Sequence, residues 1–274
     1  MILQPNTTIN ETEACVLLKE ERRNMILSLM REYKSISSVE LSKKLNVTQE
    51  TIRKDLNYLD KNGLLKRTFG GAMPIPSTDD GFDIQDPSFE LRKISNFKEK
   101  DAIGKFAASL IEPKDTIVLD ASTTTLQMVK YIPEDMDIVV ITNAFSVLCE
   151  LVKKEGVSII SVGGYYRKSS TSFLGSITLK ALESYNINKA FLSGNSVSVE
   201  KGLMDPIEQE ADFKRKMVEV AEKSILLAGH SKFGRIAPFS DCQITAFDTV
   251  VSDINLSDEI VKKLENLSIK VYRA

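Results

Sequence analysis

The sequence predicts an α/β protein in two parts: an N-terminal winged helix-turn-helix domain, then a Rossmann-like α/β domain with a mostly parallel sheet. Three observations carry this. Residues 20–72 hold three short amphipathic helical stretches closed by a glycine-containing hairpin. From residue 98 onward, short β-branched runs alternate with helical stretches, the pattern of parallel strands covered on both faces. Between them, Pro74, Pro76, Gly81, Pro87 and several aspartates mark a linker. The 274 residues are enough for two domains. The divisions expected are an N-terminal extension over 1–19, a head over 20–72, a linker over 73–97 whose Phe89 can dock onto a domain, and a body over 98–274.

In the head, the first helix is expected from Glu21 to about Tyr33, with Ile26, Leu29, Met30 and Tyr33 on one face. The second starts at Ser37 or Ser38, either a good N-cap, and turns Val39, Leu41 and Leu45 inward. Asn46 and Val47 make a turn. Thr48 caps a third helix that ends at Gly63, with Ile52, Leu56 and Leu59 facing the core. Residues 64–72 form the hairpin.

In the body, strands are expected at 116–119, 138–142, 157–162, 189–193, 224–228, 248–252 and 268–272. Helices are expected at 98–111, 123–131, 144–154, 178–185, 206–222 and 257–266.

Charge and composition narrow the function classes. The whole chain has a formal net charge of −2, which says nothing of nucleic acid. Residues 20–72, however, carry eleven Lys+Arg against seven Asp+Glu, a net of +4 on an otherwise acidic chain. A basic head on an acidic body suits contact with a polyanion at one end. The three cysteines, Cys15, Cys149 and Cys242, are far apart, which indicates neither a disulfide framework nor a zinc site and fits a reducing, cytoplasmic setting. With one histidine, His230, a multi-histidine metal site is excluded. The opening MILQPNTTINETEAC lacks a basic start and an apolar run, and no stretch approaches the ~20 apolar residues of a membrane span. No cofactor, metal or membrane partner is expected.

The outer face of the third helix carries Gln49, Glu50, Thr51, Arg53, Lys54 and Asn57. In helix-turn-helix proteins the start of this helix enters the major groove, where Gln, Thr and Arg read base edges and Arg or Lys pairs with phosphate. The DNA-facing candidates are Ser38, Thr48, Gln49, Glu50, Thr51, Arg53 and Lys54, with Lys66 and Arg67 on the wing. The segments ERRNMILSL and SVELSKKLNVTQETIRKDLNYLDKNGLLKRTFGGA resemble the head of the DeoR family of regulators. Two departures stand out: Phe69 where the family usually has His, and Lys54 where it usually has Arg.

In the body, Asp120-Ala121-Ser122-Thr123-Thr124-Thr125 follows an expected strand and opens a helix. Small hydroxyl residues at such a turn offer backbone N–H groups and hydroxyls to an anion, or simply cap the helix. Thr142-Asn143, Gly163-Gly164 and the run Ser231 to Gly234 close other strands. Ligands in open α/β sheets sit at those carboxyl ends. Arg167 lies in what reads as a polar loop, and Glu208 and Glu210 open a long helix. The words IVLDASTTT, ITNAF, SVGGYYRKSSTSFLG, INKAFLS, KGLMDP, EQEADFKRKM, HSKFG and VVSD resemble the DeoR effector domain. That resemblance implies a fold similar to ribose-5-phosphate isomerase and a phosphorylated sugar as ligand. It makes Asp120, Ser122, Thr123, Thr124, Asn143, Arg167, Glu210 and Lys232 the candidate ligand residues. Gly229 departs from the family's usual Asp, and Asn195-Ser196 is atypical.

The function expected is a sequence-specific transcription regulator, commonly a repressor, acting as a homo-oligomer on a double-stranded DNA operator and modulated by a phosphorylated sugar. The alternative is an aldose–ketose phosphate isomerase with an added DNA-binding head.

Overall fold

The computed structural model describes residues 19–33, 35–61, 64–74 and 89–274. The N-terminal extension up to residue 18, the Gly63 helix stop and most of the linker lie outside the described residues. The chain divides into two compact units, Met1–Ile75 and Pro76–Ala274.

The first unit runs α1 (Lys19–Glu32), β1 (Ile36–Ser37), α2 (Ser38–Leu45), α3 (Gln49–Lys61), β2 (Leu65–Thr68) and β3 (Gly71–Pro74). Ile26 and Met30 of α1, Leu41 and Leu45 of α2, and Ile52, Leu56 and Leu59 of α3 form its apolar centre with Leu65 and Ala72. Tyr33 and Val39, expected inside, are exposed. Val39 is displaced because Ser38, Leu41 and Leu45 occupy the inward face of α2. Ser37 is the N-cap, in a reciprocal capping box with Glu40: Glu40 N donates to Ser37 Oγ at 3.1 Å and Ser37 N to Glu40 Oε2 at 2.9 Å. Thr48 caps α3, its Oγ1 accepting from Thr51 N at 3.2 Å. The wing hairpin β2–β3 gains β1 as a third strand, in the order β1-β3-β2. Gly71 permits that pairing, since a side chain there would collide with the Ile36 carbonyl.

The second unit begins, among the described residues, with α4 (Phe89–Ile94) and α5 (Phe97–Ala108), followed by β4 (Thr116–Leu119), α6 (Thr123–Val129), β5 (Ile138–Thr142), α7 (Phe145–Leu151) and β6 (Val157–Ser161). A hairpin of β7 (Tyr165–Arg167) and β8 (Ser172–Leu174) leads to α8 (Ser176–Leu182), β9 (Ile187–Leu192), β10 (Ser196–Ser198) and β11 (Gly202–Asp205). The chain closes with α9 (Glu208–Val220), β12 (Ala221–Leu227), β13 (Phe239–Cys242), β14 (Thr249–Ser252), α10 (Asp258–Glu265) and β15 (Lys270–Arg273).

Seven strands form one sheet in the order β15-β14-β12-β9-β4-β5-β6. Every pairing in it is parallel. Apolar side chains alternate between its two faces: Ile117 and Leu119 pack with Ile103, Leu126 and Met128, while Val118 packs with Leu182, Phe213 and Met217. The chain leaves β4 toward β5 and β6, then returns to place β9 on the other side of β4. The crevice between the carboxyl ends of β4 and β9 is therefore the topological switch point of the sheet.

Two expectations are corrected here. The last part of the linker is ordered body: Phe89 is buried with Ile103 and Leu126, and its N–H donates to the Ser169 carbonyl at 2.8 Å. The polar loop expected around Arg167 is the β7–β8 hairpin, whose three-residue strands are too short to show a period.

Candidate functional site

In the first unit, α3 presents Gln49, Glu50, Arg53 and Lys54 to solvent. Glu50 Oε1 and Lys54 Nζ stand 3.6 Å apart one helical turn on, a weak exposed pair. The Thr51 hydroxyl lies 2.8 Å from that of Thr48, so these two residues shape the helix start. Ser38 is turned inward: its N and Oγ both donate to the Gly70 carbonyl, at 2.8 and 3.0 Å. That removes Ser38 from the DNA-facing set and makes it the anchor of the wing. Lys66 is exposed, whereas Arg67 is tied to α3, its N–H donating to Asp60 Oδ1 at 3.0 Å and its guanidinium to Asn57.

Beneath α3 lies a charged triad that the periodicity did not single out. Asp55 is buried and accepts from Arg22 Nε at 2.6 Å and Arg23 Nε at 2.9 Å, pinning α1 to α3. The Arg23 guanidinium also lies 3.5 Å from the centre of the Tyr58 ring.

In the second unit, the turn after β4 is built around Asp120. Its Oδ1 accepts from Ser122 N at 3.1 Å and Thr125 Oγ1 at 2.9 Å, and its Oδ2 from Ser193 N at 2.9 Å, across the switch point. Both oxygens are thus engaged in holding the turn. Ser122 caps α6 through Thr125 N at 3.1 Å. Thr123 and Thr124 are buried behind it. Asn143, after β5, donates to the Phe173 carbonyl at 2.9 Å, while its buried Oδ1 has no partner among the described residues.

Lys232 reaches the same crevice from the turn after β12, donating to Ser193 Oγ at 2.7 Å and the Gly194 carbonyl at 2.6 Å. Burial of its ammonium, then repulsion by Lys214, brings its pKa down to about 8, against attraction from Asp205 and Asp120. Two further cations join it. Lys100 is buried on α5 and donates to the Arg92 and Ser95 carbonyls. Burial, then repulsion from Lys232 and Arg92, pushes it well below the ordinary lysine value. Arg92, on α4, has its Nε and one Nη buried without a partner among the described residues, and its carbonyl accepts from Thr123 Oγ1 at 3.3 Å. Lys232, Lys100 and Arg92 therefore gather beside the hydroxyl turn.

Glu210 and Arg167 are paired with each other at 3.0 Å, and Glu210 adds to the negative charge around Lys214. Lys214 is fully enclosed, bonded to Asp205, 3.9 Å from Asp241 and 4.0 Å from Asp120. Burial opposes its charge, but Asp205, Asp241 and Asp120 together raise its pKa. Asp241, by contrast, is pushed well above the carboxylate range by burial and by Asp205.

Arg92, Lys100, Asp205, Lys214 and Asp241 were absent from the sequence-derived candidates. The signal for Arg92 was Phe89, an apolar anchor three residues before it in a segment that otherwise reads as linker. Lys214 and Asp205 lay inside EQEADFKRKM and KGLMDP, among the words that carried the family resemblance.

A family model of the DeoR C-terminal sensor domain matches residues 95–254, and one of the DeoR-like helix-turn-helix domain matches residues 22–78. The chain belongs to the DeoR family. It is 37% identical to the uncharacterized HTH-type transcriptional regulator YulB of Bacillus subtilis, over 93% of this chain and 96% of that protein. It is 31% identical to a putative aga operon transcriptional repressor of Escherichia coli O157:H7, over 92% of each. Ribose 5-phosphate isomerase A of Methanocaldococcus jannaschii aligns with 51% of this chain and 55% of its own, at 16% identity and a TM-score of 0.39. As a DeoR-family member the chain is a DNA-binding transcription regulator with a sensor domain, and the isomerase alternative is set aside. Among the described residues, no helix is long and apolar enough to cross a membrane.

Proposed function

We propose that this chain is a repressor whose hold on an operator is set by a phosphorylated sugar bound at the switch-point crevice of the second unit. The observation that carries the effector is Arg92: two of its guanidinium nitrogens are buried without a partner among the described residues, beside the buried ammonium groups of Lys100 and Lys232. Unpaired buried donors are costly, and an anion that accepts from them relieves the cost. Phosphate, with three acceptor oxygens and a double charge, suits three clustered cations and the Ser122–Thr124 turn. The unpartnered Asn143 Oδ1 is an acceptor suited to a sugar hydroxyl, with Arg167, Glu210 and the Asp120 turn supporting the crevice. The ligand prefers one arrangement of domains or subunits and DNA another, so each shifts the population the other needs. Residues 20–72 form the DNA-binding head, 73–88 the linker and 89–274 the effector unit. Paired heads in a homo-oligomer double the operator contacts, and a regulator of this type works in the cytoplasm, where the DNA is.

Calorimetry with matched sugars and sugar phosphates tests the effector. The phosphorylated forms should bind and the free sugars should bind at least ~10-fold more weakly, since charge-assisted bonds contribute about 1.5–3 kcal/mol each. The protonated lysine is the binding form, and Lys232 in the free protein loses its proton around pH 8. Affinity should therefore fall above pH 8 by up to ~10-fold per unit, and below about pH 6 as the phosphate loses its second charge. Arg92→Ala should weaken binding while leaving operator affinity intact. Equal binding of a sugar and its phosphate would refute the site. Ser122→Asp is a poorer test, because its carboxylate would stand beside buried Asp120.

On the head, Gln49, Thr51, Arg53 and Lys54 face the major groove. Arg53→Ala should weaken operator binding by about 1–3 kcal/mol and relax the preference at one base pair. A gel shift at wild-type affinity, with folding intact, removes Arg53 from the interface.

A further inference from the structure

Among the described residues, the aromatic side chain at the end of the wing packs against none. Phe69 is fully exposed at the turn between β2 and β3. A single exposed apolar residue is ordinary in itself. Here the backbone that carries it is held with unusual completeness. Gly70 adopts φ +88°, which sets the tight turn. Its carbonyl accepts two bonds from Ser38, at 2.8 and 3.0 Å, fixing the tip to the start of α2. Arg67, two residues before Phe69, is tied to Asp60 and Asn57 of α3. The ring is thus presented at a fixed place relative to the helix whose outer face reads DNA. Lys66 stands exposed on the same strand, and Arg53 and Lys54 are exposed on α3, so both elements of the head present cations. A polyanion matches those exposed cations.

We propose that Phe69 is a wedge that enters the minor groove of duplex DNA and partly unstacks one base step beside the site read by α3. Apolar side chains inserted in this way kink the duplex and wrap more of it onto the protein. The step favoured is a pyrimidine–purine one, TA or CA/TG, because these unstack most readily. The contact carries no charge, so it adds affinity without adding to the salt dependence. It rests on the head reading DNA, and the experiment separates the two.

The probe is a duplex selected from a random-sequence pool by the wild-type full chain. The chain contains no tryptophan, so Phe69→Trp places a single indole at the wing tip. Its emission should shift on binding the duplex, and its quenching by acrylamide should fall several-fold. Phe69→Ala should bind the same duplex roughly 10- to 50-fold more weakly, the effect of leaving one ring unburied, and should bend it less in a circular-permutation assay. Its slope of log affinity against log salt should equal the wild-type slope. Lys66→Ala should do the reverse, lowering that slope by about 0.9 for one lost phosphate contact. An indole in F69W as accessible to acrylamide with DNA as without it overturns the wedge, and so does an F69A chain with wild-type affinity and bend. A wild-type chain that selects no duplex overturns the reading of the head and the wedge with it.

Discussion

Lys214→Met should destabilise the second unit by about 3–5 kcal/mol at neutral pH, the loss expected when one partner of a buried charge group is removed. Methionine fills a similar volume, so the effect isolates charge from packing. In the native protein Lys214 stands among Asp205, Asp241 and Asp120. Asp241 favours its neutral form, because burial and Asp205 both raise its pKa. Asp205 is held below its ordinary value of 3.8 by Lys214, against its own burial. Its contribution to native stability is therefore present above that value and is lost as the pH falls through the lowered one. Without Lys214 the buried carboxylates have pKa values above the ordinary range, so the variant's deficit should be largest at pH 7 and shrink toward pH 4–5 as they take up protons. Thermal melts at pH 7 and pH 5 read this directly. Equal melting temperatures of wild type and variant at pH 7 would show that the cluster contributes nothing. The variant should also lose effector binding, because Asp120 positions both Ser122 and Ser193 at the crevice.

What was legible in the sequence was the part governed by period and capping. The run IVLDASTTT announced a strand, a turn and a capped helix, and the structure has β4, the Asp120 turn and α6 in those places. The third helix was legible because Ile52, Leu56 and Leu59 repeat at helical spacing. What was hidden depends on tertiary contact. Asp55 stands three residues after Ile52 and four before Leu59, on the inward side of α3, but a carboxylate there reads as misplaced until Arg22 and Arg23 approach from α1 and make its burial tolerable. Ser37 and Ser38 are equivalent as caps in the sequence; the Gly70 carbonyl decides between them by claiming Ser38. Arg92 follows a Pro- and Asp-rich stretch and sits on a six-residue helix, too short for a period. The strands β7, β8, β10, β11 and β13 are three or four residues long and pair through their backbones rather than through an apolar alternation.

Asp55→Ala should abolish operator binding by unfolding or loosening the first unit. The carboxylate is buried and both of its oxygens are engaged, one by each arginine. Removing it leaves two buried guanidinium groups facing one another, at a cost of about 3–5 kcal/mol. That is a large share of the 5–15 kcal/mol by which an ordinary domain is stable, and a small head sits at the low end. The damage is specific in direction, because the triad joins α1 to α3: even a chain that stays folded should lose the fixed angle of the recognition face. Replacing all three residues by leucine tests whether the loss comes from stranded charge or from missing contacts. Such a variant should recover much of the stability, since apolar groups of similar volume commonly match a buried ion network. Denaturant unfolding of the three chains, read beside gel shifts, separates the effects. An Asp55→Ala protein with wild-type stability and operator affinity would show that α1 and α3 are held by their apolar contacts alone.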